Sequence, residues 1–337
     1  MRALAYPTVL AALLIGSGCD DLLFDPPEDK STAAIYVELW ETFDRGYAPF
    51  EVRAVDWAAA LDRHRPADGA SEDALFQASS DLLAELDDGH VVLVAPGRPL
   101  FVAKQTFRDN TFGLDIDLGI IIRQFTEGLF TSGAARYGAL PGDVAYVHVA
   151  DWEEPIPNLE EVMSFIQGRS AVILDFRHNP GGDFTNGFPL AARFADQRRL
   201  AFTTFTKTGP AHDDLGQAVE WFIEPGGAFQ YTGPVMVLTN GFTNSAAERT
   251  LMAFRTMPHV TVVGSRTAGN HGEKVGGELS NGWRFSIVPQ VVIAPDGISY
   301  EGPGLPPDVQ VANSADEVAN GVDHQFEAAY SLVNPGG

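Results

Sequence analysis

Cysteine is almost absent from this chain. Cys19 is the only one in 337 residues, so no intramolecular disulfide can form. Basic residues are also scarce: 22 Lys and Arg stand against 45 Asp and Glu, a net charge of −23. That balance argues against nucleic acid, or an anionic membrane surface, as the working partner. Beyond the first residues no apolar run approaches transmembrane length, and there is no internal repeat or low-complexity tract. A G-x-G-x-x-G fingerprint, a Gly-Lys-Ser/Thr phosphate loop, an HExxH motif and paired Cys/His spacings are all missing, so no metal or cofactor is expected. What is present is a globular composition, 45% hydrophobic and 20% charged, with length for one large domain or two small ones.

The first residues read as a targeting segment. Met1-Arg2 is followed by an apolar stretch from Ala3 to Ile15 and then by Gly16-Ser17-Gly18-Cys19. The apolar part is too short to span a bilayer. The pattern resembles a bacterial lipoprotein signal, residues 1–18, which implies cleavage before Cys19 and lipidation of its sulfur; an ordinary secretory signal is the alternative. Residues 19–30 are then an acidic tether, and the expected location is the bacterial cell envelope, with the lipid as the sole membrane contact.

Residues 31–92 read as a helical subdomain, with apolar residues at i, i+3 and i+4 over Ala33 to Phe43, Val55 to Leu61 and Asp73 to Leu86. Ser71, followed by Glu72 and Asp73, is a helix start with acids in the first turn. From Val91 onward strands appear, and after Leu159 strands and helices alternate, with strands at 171–175, 201–205, 235–239, 260–264 and 284–294. Val/Ile-rich strands alternating with helices argue for an α/β core, placed at 93–315, with 316–337 as a C-terminal segment.

Two segments of that core carry chemistry. Val235 to Leu238 is a buried-strand pattern, Gly241 and Asn244 supply turn residues, and Ala246 to Met257 is a helix. Ser245 therefore lies at a helix N-terminus, where it is either an ordinary N-cap or a nucleophile whose oxyanion is held by the Ala246 amide. Asp175-Phe176-Arg177-His178-Asn179-Pro180-Gly181-Gly182 follows another strand, and its two glycines leave backbone amides free to approach a ligand. Among the eight histidines, His90 sits at a helix-to-strand turn where a ring can face a cleft, and His271 and Lys274 lie on a Gly-rich loop within reach of Ser245.

Four ordered motifs resemble one serine-peptidase family. They are Asp175-x-Arg-x-Asn-Pro-Gly-Gly, Thr243-Asn-Ser-Ala-Ala-Glu248, Val263-Gly-x-x-Thr267-x-Gly269 and Gly302-x-Gly304-Leu305-x-Pro307-Asp308. The family is that of the tail-specific (C-terminal processing) peptidases and the tricorn protease core. The resemblance implies a ClpP/crotonase-like α/β core with an N-terminal helical subdomain. It implies Ser245 as nucleophile, with oxyanion amides from Ala246 and from Gly181 or Gly182. Processing peptidases carry their lysine base in a segment that here reads Thr267-Ala268-Gly269-Asn270, so that lysine is missing. The tricorn-like pattern of a histidine ending the helical region matches Leu86-Asp87-Asp88-Gly89-His90, and its glutamate matches Glu301, although Gly89 stands where that pattern has serine. His90 is thus the expected base and Glu301 its distal partner. Lys274 is the alternative base, and a non-catalytic binding protein on the same fold is the alternative function. The expected substrate is a peptide or unfolded protein. About 50 residues between Val94 and Asp143 leave no room for a PDZ domain.

Overall fold

A computed structural model describes residues 29–108 and 115–334. The segment read as a targeting signal, Cys19, and most of the residues read as a tether lie outside the described residues.

Local signals start the helices where the periodicity places them. Ser31 caps Thr32–Gly46 by accepting from the Ala34 amide, Asp56 caps Trp57–Arg63, and Ser71 caps Glu72–Ala84 ahead of Glu72 and Asp73. The apolar faces of these helices share one core. Tyr36, Leu39, Phe43, Trp57, Leu82 and Leu83 are buried together with Leu279, Trp283, Phe285 and Ile287, which come from far along the chain. Phe285 and Ile287 belong to a four-stranded antiparallel sheet, and Leu279 and Trp283 to one of its turns; the strand order is Val275–Glu278, Arg284–Ile287, Val92–Val94, Phe101–Val102. The helical subdomain is therefore completed by residues 275–288, a boundary the sequence pattern does not mark.

The α/β core is as expected. Seven strands form its central sheet, in the order Val309–Gln310, Val260–Gly264, Val235–Thr239, Ala171–Asp175, Val144–Val149, Ala135–Leu140, Phe130–Ser132. The first five run parallel; Ala135–Leu140 pairs antiparallel to them, and Phe130–Ser132 antiparallel to it in turn. The strands at 171–175 and 235–239 are buried at every residue, because helices cover both faces. Leu159–Ile166, Phe188–Ala192 and Ala246–Arg255 contribute to the core on one side. On the other, Phe326 and Ala329 of the helix His324–Val333 pack against Ile173 and Leu238. The C-terminal segment is thus part of the core.

One strand reading needs correcting. The run 284–294 is not a single strand: Arg284–Ile287 joins the four-stranded sheet, while Gln290–Ile293 pairs with Arg199–Thr206 in a third sheet. The break falls at Val288-Pro289, where proline has no N–H to continue the ladder.

The parallel strands end at one edge, and the loops that leave them there carry three of the sequence motifs: 176–182, 240–245 and 265–272. This is where open α/β sheets place their sites.

Candidate active site

The glycine loop is shaped by its own motif. Arg177 is fully buried; its guanidinium binds Asp175 in a bidentate pair and reaches Asp323 of the C-terminal segment at 2.8 Å. Asn179 Nδ2 donates to the Val149 carbonyl at 3.0 Å, and its Oδ1 accepts the Gly181 amide at 2.9 Å. The Gly181 N–H is therefore spent inside the loop, whereas the Gly182 and Ala246 amides donate to no group among the described residues. Gly181 is held to glycine by contact: a Cβ there would lie 2.6 Å from Ser245 Cβ and 2.9 Å from the Ala246 nitrogen. The loop is thus pressed against the start of the Ser245 helix.

Ser245 itself has φ 55° and ψ −118°, a backbone conformation that costs a non-glycine residue about 1–3 kcal/mol and is kept where surrounding structure enforces it. The enforcing groups are visible. Asn244 N–H donates to the Asn179 carbonyl at 2.9 Å, Thr243 Oγ1 donates to the Phe176 carbonyl at 2.9 Å, and Ser245 N–H donates to Glu248 at 3.1 Å. Ser245 opens the helix in capping-box geometry with Glu248, whose carboxylate accepts the Ser245 N–H and whose own N–H donates to the Ser245 carbonyl at 3.0 Å. The positive φ of Ser245 sets it apart from an ordinary N-cap, whose backbone is extended.

Glu248, buried one turn into the helix, collects four donors. Besides Ser245 N–H these are Thr267 Oγ1 at 2.5 Å, Gly269 N–H at 2.8 Å and Asn270 N–H at 2.9 Å. Burial by itself would raise its carboxyl, but the His271 ring and these donors outweigh it and hold the group at about 2. The motif Val263-Gly-x-x-Thr267-x-Gly269 is thereby clamped to the nucleophile helix. Gly269 and Gly302 must touch there, since a Cβ on Gly269 would fall 2.4 Å from the Gly302 carbonyl oxygen.

His90 lies across this loop. Its Nδ1 is 2.8 Å from the Gly272 carbonyl, which can only accept, so Nδ1 carries the proton and Nε2 presents its lone pair. Burial pushes the imidazole down to about 4, against the pull of Asp88, and the nearby Lys274 ammonium adds to that lowering. The ring is therefore neutral at pH 7. Ser245 Oγ and His90 are not hydrogen-bonded to each other in this arrangement. Such contacts often close only when substrate is bound.

Glu301 is fully buried and does not touch His90 directly. Its Oε2 accepts the His271 and Gly272 amides at 3.0 and 2.9 Å, so it orients the peptide whose carbonyl holds the His90 ring. Its Oε1 accepts from Arg53 at 3.1 Å. Arg53 of the helical subdomain also donates to the Gly269 carbonyl at 2.8 Å and to Asn270 Oδ1 at 3.2 Å, and it lies 3.4 Å from Asp88. Asp88 in turn accepts the His90 amide and the Tyr47 hydroxyl. Buried His271 sits between Glu248 and Glu301, 3.3 and 3.6 Å away. Burial alone would lower its pKa, but the two carboxylates raise it.

Ser245, His90, Glu301, Ala246 and the glycine pair thus converge on one cluster. Arg53, Asp88, Glu248 and Asn270 join it without having been singled out from sequence as site residues. Glu248 lay inside a quoted motif, and Asn270 was noted only as the position of a missing lysine. Lys274 lies on the loop beyond Gly272 with much of its side chain exposed; partial desolvation lowers the pKa of its ammonium, and Glu153 and Asp88 oppose that. Among the described residues no group of His, Cys, Asp and Glu is placed to hold a metal ion, and no helix is long and apolar enough to cross a membrane.

Comparison with known proteins agrees with this architecture. The sequence profile of Peptidase family S41 matches residues 143–311, half of the chain. A carboxy-terminal-processing protease of Bartonella bacilliformis is 24% identical over 225 residues, which cover 65% of this chain and 49% of that protein. The chain spans about half the length, or less, of the curated relatives it matches. A solved structure of a peptidase candidate from Parabacteroides merdae superposes with a TM-score of 0.83 at 27% identity, covering 90% of this chain and 97% of that one. The tricorn protease shares the fold at a TM-score of 0.52 and 14% identity, over 90% of this chain and 37% of its own.

Proposed function

The chain belongs to peptidase family S41, and from that premise we propose that it is a serine peptidase that cleaves peptides or unfolded proteins through an acyl-enzyme on Ser245. The observation that carries this reading is the state of Ser245: a strained backbone, and a helix-start amide beside an open glycine-loop amide. His90 Nε2 takes the Ser245 Oγ proton as the oxygen attacks the peptide carbonyl. The Ala246 and Gly182 amides receive the developing oxyanion, which is the larger contribution in acyl transfer. His90 then returns the proton to the departing amine, and water attacking with the same base releases the acyl group. Glu301 acts on the base through the Gly272 peptide, and this supports its assignment as a positioning residue. Of the two glycines, Gly182 is the proposed donor because the Gly181 amide is already bound. The segment ending at Cys19 supports a lipid-anchored location at the bacterial cell envelope.

Ser245→Ala is expected to abolish hydrolysis of an unfolded protein substrate while circular dichroism stays that of the parent. Hydrolysis that persists in this variant refutes the assignment.

A further inference from the structure

Three loops must be held in register for this chemistry: the turn bearing His90, the turn bearing Ser245, and the glycine loop. A single line of hydrogen bonds connects them. Gly89 N–H, next to His90, donates to Asn270 Oδ1 at 3.0 Å. Asn270 Nδ2 donates to Asn244 Oδ1 at 2.9 Å, and Asn244 adjoins Ser245. Asn244 Nδ2 donates to the Pro180 carbonyl at 3.1 Å, immediately before the two glycines. Asn270 is fully buried, and its main-chain amide is fixed by Glu248.

The direction of the line is dictated by its ends. At one end stand donors only, the Gly89 amide and Arg53 Nη2; at the other stands a carbonyl that only accepts. A side chain between them must accept on one side and donate on the other. A carboxylate cannot donate and an ammonium cannot accept, whereas a primary amide does both without adding charge. Charge neutrality matters here, because Asp88, Glu248 and Glu301 already bury three carboxyls nearby. The same geometry accounts for both departures from the family pattern. A Cβ on Gly89 would lie 2.5 Å from the Phe107 ring and 2.7 Å from Asn270 Nδ2, so that ring and the Asn270 amide together fill the space that a side chain at 89 would need.

We propose that Asn270 and Asn244 form an amide relay that sets the spacing of base, nucleophile and oxyanion loop, which makes both of them positioning residues. The proposal rests on the serine-peptidase reading above.

The test is the second-order rate at which a fluorophosphonate labels Ser245, read by intact mass, alongside thermal unfolding of each protein. Asn270→Ala removes the central link and lowers the labelling rate roughly 10- to 100-fold, the scale of a misplacement of about 1 Å in a reacting group. Asn244→Asp keeps the side-chain volume and the acceptor for Asn270, but its carboxylate has no proton for Pro180, so labelling slows with the Asn270 bond retained. Asn270→Asp adds a carboxylate one hydrogen bond from the residue before His90, while Asp88, Lys274 and Glu248, the other charges acting on the ring, are unchanged. A negative charge favours the imidazolium, so the acid limb of labelling moves to higher pH in Asn270→Asp and stays in place in Asn270→Ala. A merely structural role moves the melting temperature and leaves that limb unchanged. Variants that label at the wild-type rate, or slow only in proportion to their unfolded fraction, overturn the relay. A wild-type protein that does not react overturns the peptidase reading itself, and the relay with it.

Discussion

Replacing Glu248 by Gln exchanges one carboxylate oxygen for an NH2 group at a site where every neighbour is a donor. Each oxygen serves two of them: Thr267 and Gly269 on one, Ser245 and Asn270 on the other. Whichever oxygen is lost, two donors lose their acceptor and face a third donor. Hydrogen bonds to a charged group contribute about 1.5–3 kcal/mol each, so the substitution costs about 3–6 kcal/mol. The titration of the group gives a second route to the same quantity. Its pKa falls from 4.5 to about 2 on folding. At about 1.36 kcal/mol per pH unit, that is about 3 kcal/mol of stability at neutral pH. Because the folded pKa is the lower one, this stability is present above 4.5 and is lost as the pH falls toward 2. Urea unfolding of both proteins at pH 7 and pH 3 is the assay. The wild-type advantage should be about 3–6 kcal/mol at pH 7 and should shrink by about 2 kcal/mol at pH 3. A gap below about 1 kcal/mol at pH 7, or one that does not change with pH, refutes the reasoning.

Two further outcomes follow from the same cluster. With burial holding His90 at about 4, the acid limb of kcat/KM in the free enzyme should have its midpoint near that value, and a pH profile with a midpoint above 6 contradicts a buried, neutral base. Gly89→Ala places a Cβ 2.5 Å from the Phe107 ring and 2.7 Å from Asn270 Nδ2, so it should lower stability by about 1–3 kcal/mol in thermal unfolding and slow Ser245 labelling.

Much of this was legible in the chain, for identifiable reasons. The helices at 32–84 follow from periodicity and, for the last of them, from Ser71, and the parallel strands from runs such as Ala171 to Asp175, all of which are local signals. The family and its α/β fold were legible because four motifs keep their order. The ties that hold the cluster together were not. Arg53 reaches Glu301 across 248 positions and Gly89 reaches Asn270 across 181, and no spacing rule connects such pairs. Tertiary pairing also decided the division of 284–294, because its two halves look alike in hydrophobicity but lie in different sheets. The effect of Gly89 became readable only once Asn270 was found in the space beside it.

The central claim is that His90, and not Lys274, is the base for Ser245. Measuring kcat/KM for peptide hydrolysis in His90→Ala and Lys274→Ala tests it most directly. Loss of a general base typically costs about 10²–10⁴-fold, so His90→Ala should fall by that much while Lys274→Ala stays within about tenfold of the parent. A larger loss in Lys274→Ala than in His90→Ala would contradict the account and place the lysine at the centre of the reaction.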